Sequence, residues 1–201
     1  MTGDDIRELD RRAVLASVDA VAAVTGADLE RPTPCAGWTV RDLLGHMIGQ
    51  HDGFAAAAAG RGGDLAAWAP RPLGDDPAAE YAVAAERVIG AFAAPGTLDR
   101  RFAIPEISPS LTFPAAQAIS FHFVDYVVHG WDMARALGVG YRLDADLAAA
   151  AVPVAEAVPD SGRLRPGAAF APRLAVQPDM PALDRVLALL GRSPSWPQGA
   201  G

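Results

Sequence analysis

Apolar positions recur at helical spacing almost from the start of the chain. Ile6, Leu9, Val14, Leu15, Val18, Val21 and Val24 are separated by charged residues, which predicts an amphipathic first helix from Asp4 to about Thr25, stopped by Gly26. Arg31 to Gly37 is a connector of turn residues. Thr39 stands three residues before Asp42, a capping-box pattern with Asp in place of Glu, so a second helix starts there and runs through His46 to about Gly60. Residues 60–74, rich in Gly, Pro and Arg, read as a loop with Trp68 as a candidate anchor. Asp76-Pro77 supplies an N-cap and an N1 proline for a third helix to about Ala94, closed by Pro95-Gly96.

Leu98 to Leu111 carries two prolines and alternating polarity, and reads as a loop with one short extended piece. Thr112 is the expected cap of a fourth helix, with Pro114 in its first turn and Gly138 just past its end. It is the longest and most apolar helix. Asp144 caps a fifth to about Val158, residues 159–178 read as coil or short strands, and a last short helix runs from Asp179 and Pro181 to Gly191. Four main amphipathic helices with medium connections predict an all-α four-helix bundle, a fold whose core is a natural place for a metal site. We expect one domain over residues 1–201, with the bundle at about 4–158 and 159–201 packing on it as a short C-terminal extension.

Charge and composition narrow the partners. The net charge is −7, the pI is near 5.0, and the seventeen basic residues are scattered, which argues against nucleic acid and against an anionic membrane surface. All seventeen are arginine, so lysine Schiff-base and lysine general-base chemistry are excluded. A lone Cys35 makes no intramolecular disulfide. The acidic start lacks a signal core, and no stretch approaches ~20 uninterrupted apolar residues, so the expectation is a cytoplasmic protein acting on a small molecule.

The candidate chemistry sits on the apolar helices. All four histidines fall in two short segments, 45–51 and 121–132. At ~100° per residue, Asp125 and His129 form an i, i+4 pair, and His122 and Asp132 lie close to the same line. An unpaired Asp125 would be costly to bury there, and either a cation or a salt bridge to an arginine such as Arg135 relieves that cost. With His46 as third donor, His46, Asp125 and His129 form a His₂-carboxylate set that leaves coordination positions open, the pattern of a catalytic ion; Zn²⁺ is the default, and Ni²⁺ or Fe²⁺ fit the set as well. Histidines of an apolar helix that merely hydrogen-bond a carboxylate give the same spacing. His122, one turn before Asp125, is either a general acid/base or a residue lining the pocket. His51 points ~140° away from His46. Cys35 reads as a small buried residue, Gln50 as an interhelical hydrogen-bonder, and Asp132 with Arg135 as a structural pair.

Three stretches carry a family resemblance: Thr33-Pro-Cys-Ala-Gly-Trp-Thr-Val-Arg-Asp-Leu-Leu-Gly-His46, Val128-His-Gly-Trp-Asp-Met-Ala-Arg-Ala-Leu-Gly138, and Leu183-Asp-Arg-Val-Leu-Ala-Leu-Leu-Gly-Arg-Ser-Pro194. They resemble the DinB/YfiT-like metal-binding superfamily, in particular its mycothiol-dependent maleylpyruvate isomerase N-terminal-domain branch. The resemblance implies an up-down-down-up bundle with one divalent ion on His46, Asp125 and His129. It also implies a low-molecular-weight thiol such as mycothiol as cofactor or co-substrate in isomerisation or S-transfer. This chain offers Asp where the isomerase uses Glu, and is too short for that enzyme's C-terminal domain. Three readings therefore stand: a metal-dependent thiol transferase or isomerase, a metal-dependent hydrolase or cyclase, and a non-catalytic metal- or ligand-binding bundle. Bundles of this kind often pair as homodimers, and the sequence pattern names no interface.

Overall fold

Side-chain caps decide where the first three helices of this all-α chain begin. A computed structural model describes residues 5–161, 163 and 170–197. Helix α1 spans Ile6–Val21, its first turn capped by the Asp5 carboxylate, which accepts from the Arg7 N–H; the expected start at Asp4 lies outside the described residues. Helix α2 spans Val40–Ala58 behind a complete capping box: Thr39 Oγ1 accepts from the Asp42 N–H, and the Asp42 carboxylate accepts from the Thr39 N–H at 2.9 Å. Helix α3, Pro77–Ala93, starts at the Asp76 cap and N1 proline as expected.

The entrance to the fourth helix differs from expectation. Residues 97–99 form a single 3-10 turn, after which β1 (Arg101–Ala103) pairs antiparallel with β2 (Thr112–Pro114), Phe102 opposite Phe113. Thr112 is thus a strand residue, and Arg101 donates to both its hydroxyl and its carbonyl. Helix α4, Ala115–Leu137, begins directly after Pro114, and the Arg100 carbonyl accepts the Ala115 N–H. The hairpin stands in for a side-chain cap. At the other end Gly138 takes the left-handed conformation (φ 73°), and its N–H returns to the carbonyls of Ala134 and Arg135.

Around the bundle α1 packs on α4 and α3, and α2 packs on α3 and α4, so α1 and α2 lie on opposite corners. One apolar cluster joins Val14, Val21, Leu43, Leu44, Met47, Tyr81 and Met133; another joins Phe54, Phe92, Phe102 and Ile119. Helix α5 (Ala145–Ala157) packs on α4, and helix α6 (Ala182–Leu189) packs on α5. Val186, Leu187 and Leu190 share a cluster with Val128 and Trp131 of α4 and Leu147 and Ala151 of α5. Between α5 and α6, the Arg163 guanidinium donates to the carbonyls of Pro159, Ala171 and Leu189. The coil expected over 159–178 holds for its described part, while residues 162 and 164–169 lie outside it.

One more feature shapes the site. Gly45, Gly49 and Gly53 form an i, i+4, i+8 stripe on α2, against which the segment 68–71 lies so closely that a Cβ at Gly45 would stand 2.7 Å from the Arg71 carbonyl oxygen, and one at Gly49 2.6 Å from that of Ala69. Trp68 anchors this segment as expected: it is buried, and its indole N–H donates to the Gly62 carbonyl at 2.8 Å. Among the described residues, no helix is long and apolar enough to cross a membrane.

Candidate metal centre

His46, on the second turn of α2, and Asp125 and His129, one turn apart on α4, meet across the α2–α4 contact. One donor atom from each lies within 4.8 Å of the other two. The two imidazoles stand with ring centroids 5.4 Å apart and nearly perpendicular, and Asp125 Oδ1 lies 3.4 Å from His129 Nε2. His46 and Asp125 are half-buried, whereas His129 is buried.

Electrostatics set the two histidines apart. Burial first, and then the neighbouring His129, push His46 down to about 4, which keeps its imidazole neutral and its lone pair free. Burial works against protonation of His129 too, but Asp125 and Asp132 outweigh it and hold it up to about 10. That proton marks a place where positive charge is stabilised between two carboxylates, and a divalent ion bound at Nε2 would take it over. Two nitrogens and one carboxylate oxygen at this spacing fit a tetrahedral or more open divalent ion.

Behind His129 lies a second layer. Asp132, fully buried, accepts at Oδ2 from His129 Nδ1 at 3.0 Å, which orients the ring with Nε2 toward Asp125. Burial alone would raise the Asp132 carboxyl, but Arg192 and His129 hold it below the usual carboxylate range. The Arg192 guanidinium, brought in just after α6, sits 3.3 Å from both Asp132 Oδ2 and Cys35 Sγ, and the Cys35 thiol donates to Asp132 Oδ2 at 3.2 Å. Cys35, His129 and Asp132 would by themselves make a second ligand trio. Arg192 already supplies the cation there.

On the α2 side a cavity of about 680 Å³ is lined by Trp38, Arg41, His46, Arg71, Pro72 and neighbours, and His46 is the one member of the trio on its wall. Trp38 stands edge-on to His46 with centroids 5.0 Å apart. The glycine stripe lets the 68–71 segment form the far wall.

His122 is not at this site. It is wholly buried, with Nδ1 2.6 Å from Asp10 Oδ1 and Nε2 3.2 Å from His51 Nδ1. Both ring nitrogens are committed within the core, so the acid–base expectation for His122 is corrected: it neither lines the cavity nor faces the ligand trio. His51, which sequence turned away from His46, is its partner. Asp132 pairs with Arg192 and His129 rather than with Arg135, whose guanidinium lies over Trp131 and donates to the Pro194 carbonyl. Cys35 joins the site's second layer, a role its sequence neighbours do not reveal because Asp132 and Arg192 lie far along the chain. Gln50, expected to bond between helices, instead donates to Glu106 Oε2 on the loop after β1, at 2.8 Å.

Comparison with known proteins bears on the family and the fold. The family model described as the mycothiol maleylpyruvate isomerase N-terminal domain matches residues 11–134, a span that holds all three candidate ligands. Two uncharacterized proteins of Mycobacterium tuberculosis, from strains CDC 1551 and H37Rv, are each 30% identical over 190 residues, covering 91% of this chain and 95% of theirs. The crystal structure of a mycothiol-dependent maleylpyruvate isomerase superposes with a TM-score of 0.56 at 12% identity, over 78% of this chain and 69% of that one, a likeness of fold. With an all-α DinB-like bundle and a family match over most of its length, the chain belongs to the mycothiol maleylpyruvate isomerase N-terminal domain family.

Proposed function

We propose that this protein is a divalent-metal enzyme that uses a low-molecular-weight thiol, mycothiol or a close analogue, for S-transfer to, or isomerisation of, a small electrophile. The observation that carries the reading is the convergence of His46, Asp125 and His129 donor atoms within 4.8 Å, beside a cavity large enough for a small substrate. These three residues would hold the ion, with Zn²⁺ the default and Ni²⁺ or Fe²⁺ as alternatives. A divalent ion there would stabilise a bound thiol as its thiolate, a good nucleophile at neutral pH.

The chain's own part is positioning. Asp132 holds the His129 ring by its Nδ1–H, Arg192 holds Asp132, and Trp38 packs its ring edge against His46, so the donors are fixed before substrate enters. Arg41 and Arg71 line the cavity, each paired with a carboxylate, Glu30 and Asp52 respectively. The family's mycothiol link favours thiol chemistry over hydrolysis for this site.

The test is a turnover screen with Zn²⁺-loaded protein, mycothiol and a panel of small electrophiles. The expected result is turnover that requires both the ion and the thiol. Turnover that proceeds at full rate without thiol would contradict the reading and favour Lewis-acid hydrolysis or cyclisation.

A further inference from the structure

The His129 ring has two edges, and each faces a set of donor atoms. Nε2 lies toward Asp125 in the open set with His46, while Nδ1 lies toward Cys35 and Asp132, whose donors with His129 also fall within 4.8 Å of one another. We infer that Arg192 is the positioning residue that decides between the two: its guanidinium serves as the cation among Cys35, His129 and Asp132, and so confines a divalent ion to the His46 edge. This rests on the metal reading above.

Spacing makes the second set a workable ligand cage. Cys35 Sγ lies 3.2 Å from Asp132 Oδ2 and 3.9 Å from His129 Nδ1, and those two are 3.0 Å apart. With metal–ligand bonds of about 2.0–2.3 Å, sulfur, nitrogen and oxygen donors around a tetrahedral Zn²⁺ stand about 3.4–3.6 Å from one another, so only small shifts separate the set from coordination. Asp132 also has an acceptor to spare: it is 0% exposed, and its Oδ1 has no hydrogen-bond partner among the described residues. With sulfur among its donors, this set would compete for Zn²⁺ against the open one. An ion on Nδ1 would displace the proton that Asp132 accepts and leave the neutral ring protonated at Nε2, which removes His129 from the open set.

What closes the second set is a tethered charge. Arg192 Nη2 lies 3.3 Å from both Cys35 Sγ and Asp132 Oδ2. Arg192 is only 5% exposed and is held from behind: Nη1 donates to the Leu190 carbonyl at 2.9 Å, the backbone N–H donates to the Leu187 carbonyl at 2.8 Å, and the guanidinium carbon lies 5.5 Å from the centre of the Phe170 ring. Gly191, just after α6, takes the left-handed conformation (φ 78°) at the turn into Arg192, where a Cβ would stand 2.7 Å from the Ala171 carbonyl oxygen. An entering ion would meet like charge at contact distance and would have to expel an anchored group. The C-terminal extension thereby acts on the metal centre as well as covering the bundle.

Cys35 is the only cysteine in the chain, so a thiolate-to-Co²⁺ absorption band reports an ion in the second set. Protein is loaded with Co²⁺ in a phosphine reductant with no thiol added. The wild type should take up about one Co²⁺ per chain and show no such band. Arg192→Gln and Arg192→Met should each show it, as Cys35 gives its S–H proton to solvent and binds as thiolate. In both, the band should survive added His46→Ala and vanish with added Cys35→Ser. Arg192→Lys, which restores the charge, should bind Co²⁺ without the band. A neutral variant that folds only with Co²⁺ and then shows the band supports the assignment equally, because the ion has replaced the guanidinium. Neutral variants that bind Co²⁺ without the band, or that stay unfolded in Co²⁺, would overturn the assignment and leave the metal reading intact. So would a band in the wild type, or one in Arg192→Lys as strong as in Arg192→Gln. A wild type that takes up no Co²⁺ would overturn the metal reading, and the role of Arg192 with it.

Discussion

Helices α2 and α4 each carry two histidines, and the bundle pairs them crosswise: His46 with His129 at 5.4 Å between ring centroids, and His51 with His122 at 5.2 Å. Each pair has a carboxylate at hand, and the two fates differ. Around His51 and His122 the core closes on every side: Asp10 comes from α1, Phe54 and Phe92 pack edge-on to His122, and Tyr126 stacks on His51 at 4.0 Å. Burial and the His122 neighbour push His51 well below its ordinary value, and burial raises Asp10 against the pull of His122. Around His46 and His129 one side stays open, Asp125 is only partly covered, and a cavity begins at His46. Access, more than residue type, separates the candidate ligand set from a hydrogen-bonded core cluster.

The largest effect that would break this comparison is on the sealed pair. His122→Ala strips the partner from Asp10 and His51 in the core, at a cost of about 3–5 kcal/mol; for a chain of this size that is roughly a 10 °C fall in Tm. Calorimetry should show that fall, with the ion content unchanged. An ion lost at constant Tm would return His122 to the site.

Next in size is the layer behind His129. Asp132→Asn keeps the shape but weakens the acceptor for Nδ1–H, and should reduce ion affinity about 10–100-fold by chelator competition. Unchanged affinity would mean that His129 is oriented without Asp132. The smallest effect concerns the helix that carries His46. Thr39→Ala removes one side of the capping box and should cost about 1 kcal/mol in denaturant unfolding, with ion affinity retained.

Much of this organisation is legible along the chain, because the signals are local. Thr39 with Asp42, Asp76 with Pro77, and Gly138 each mark a helix end from residues a few positions apart, and Asp125 and His129 share a face through helical period alone. What is not legible depends on residues far apart. Thr112 reads as a cap because its hairpin partners, Arg101 to Ala103, are separated from it by a turn of ambiguous composition. His122 reads as a site residue because it shares the ligand stripe on α4, and only the approach of Asp10, 112 positions earlier in the chain, reveals that its end of the stripe is sealed. Arg192 and Cys35 meet across 157 positions, and no local pattern foretells that contact.

The central claim is that the open pair, and not the sealed one, holds a divalent ion. Elemental analysis of untagged protein, purified as wild type and as His46→Ala and His129→Ala variants, measures it most directly. The account predicts about one ion per chain in the wild type and none in either variant, with both variants folded. A wild type that takes up no Zn²⁺, Ni²⁺ or Fe²⁺ when each is supplied, or variants that keep the ion, would contradict it.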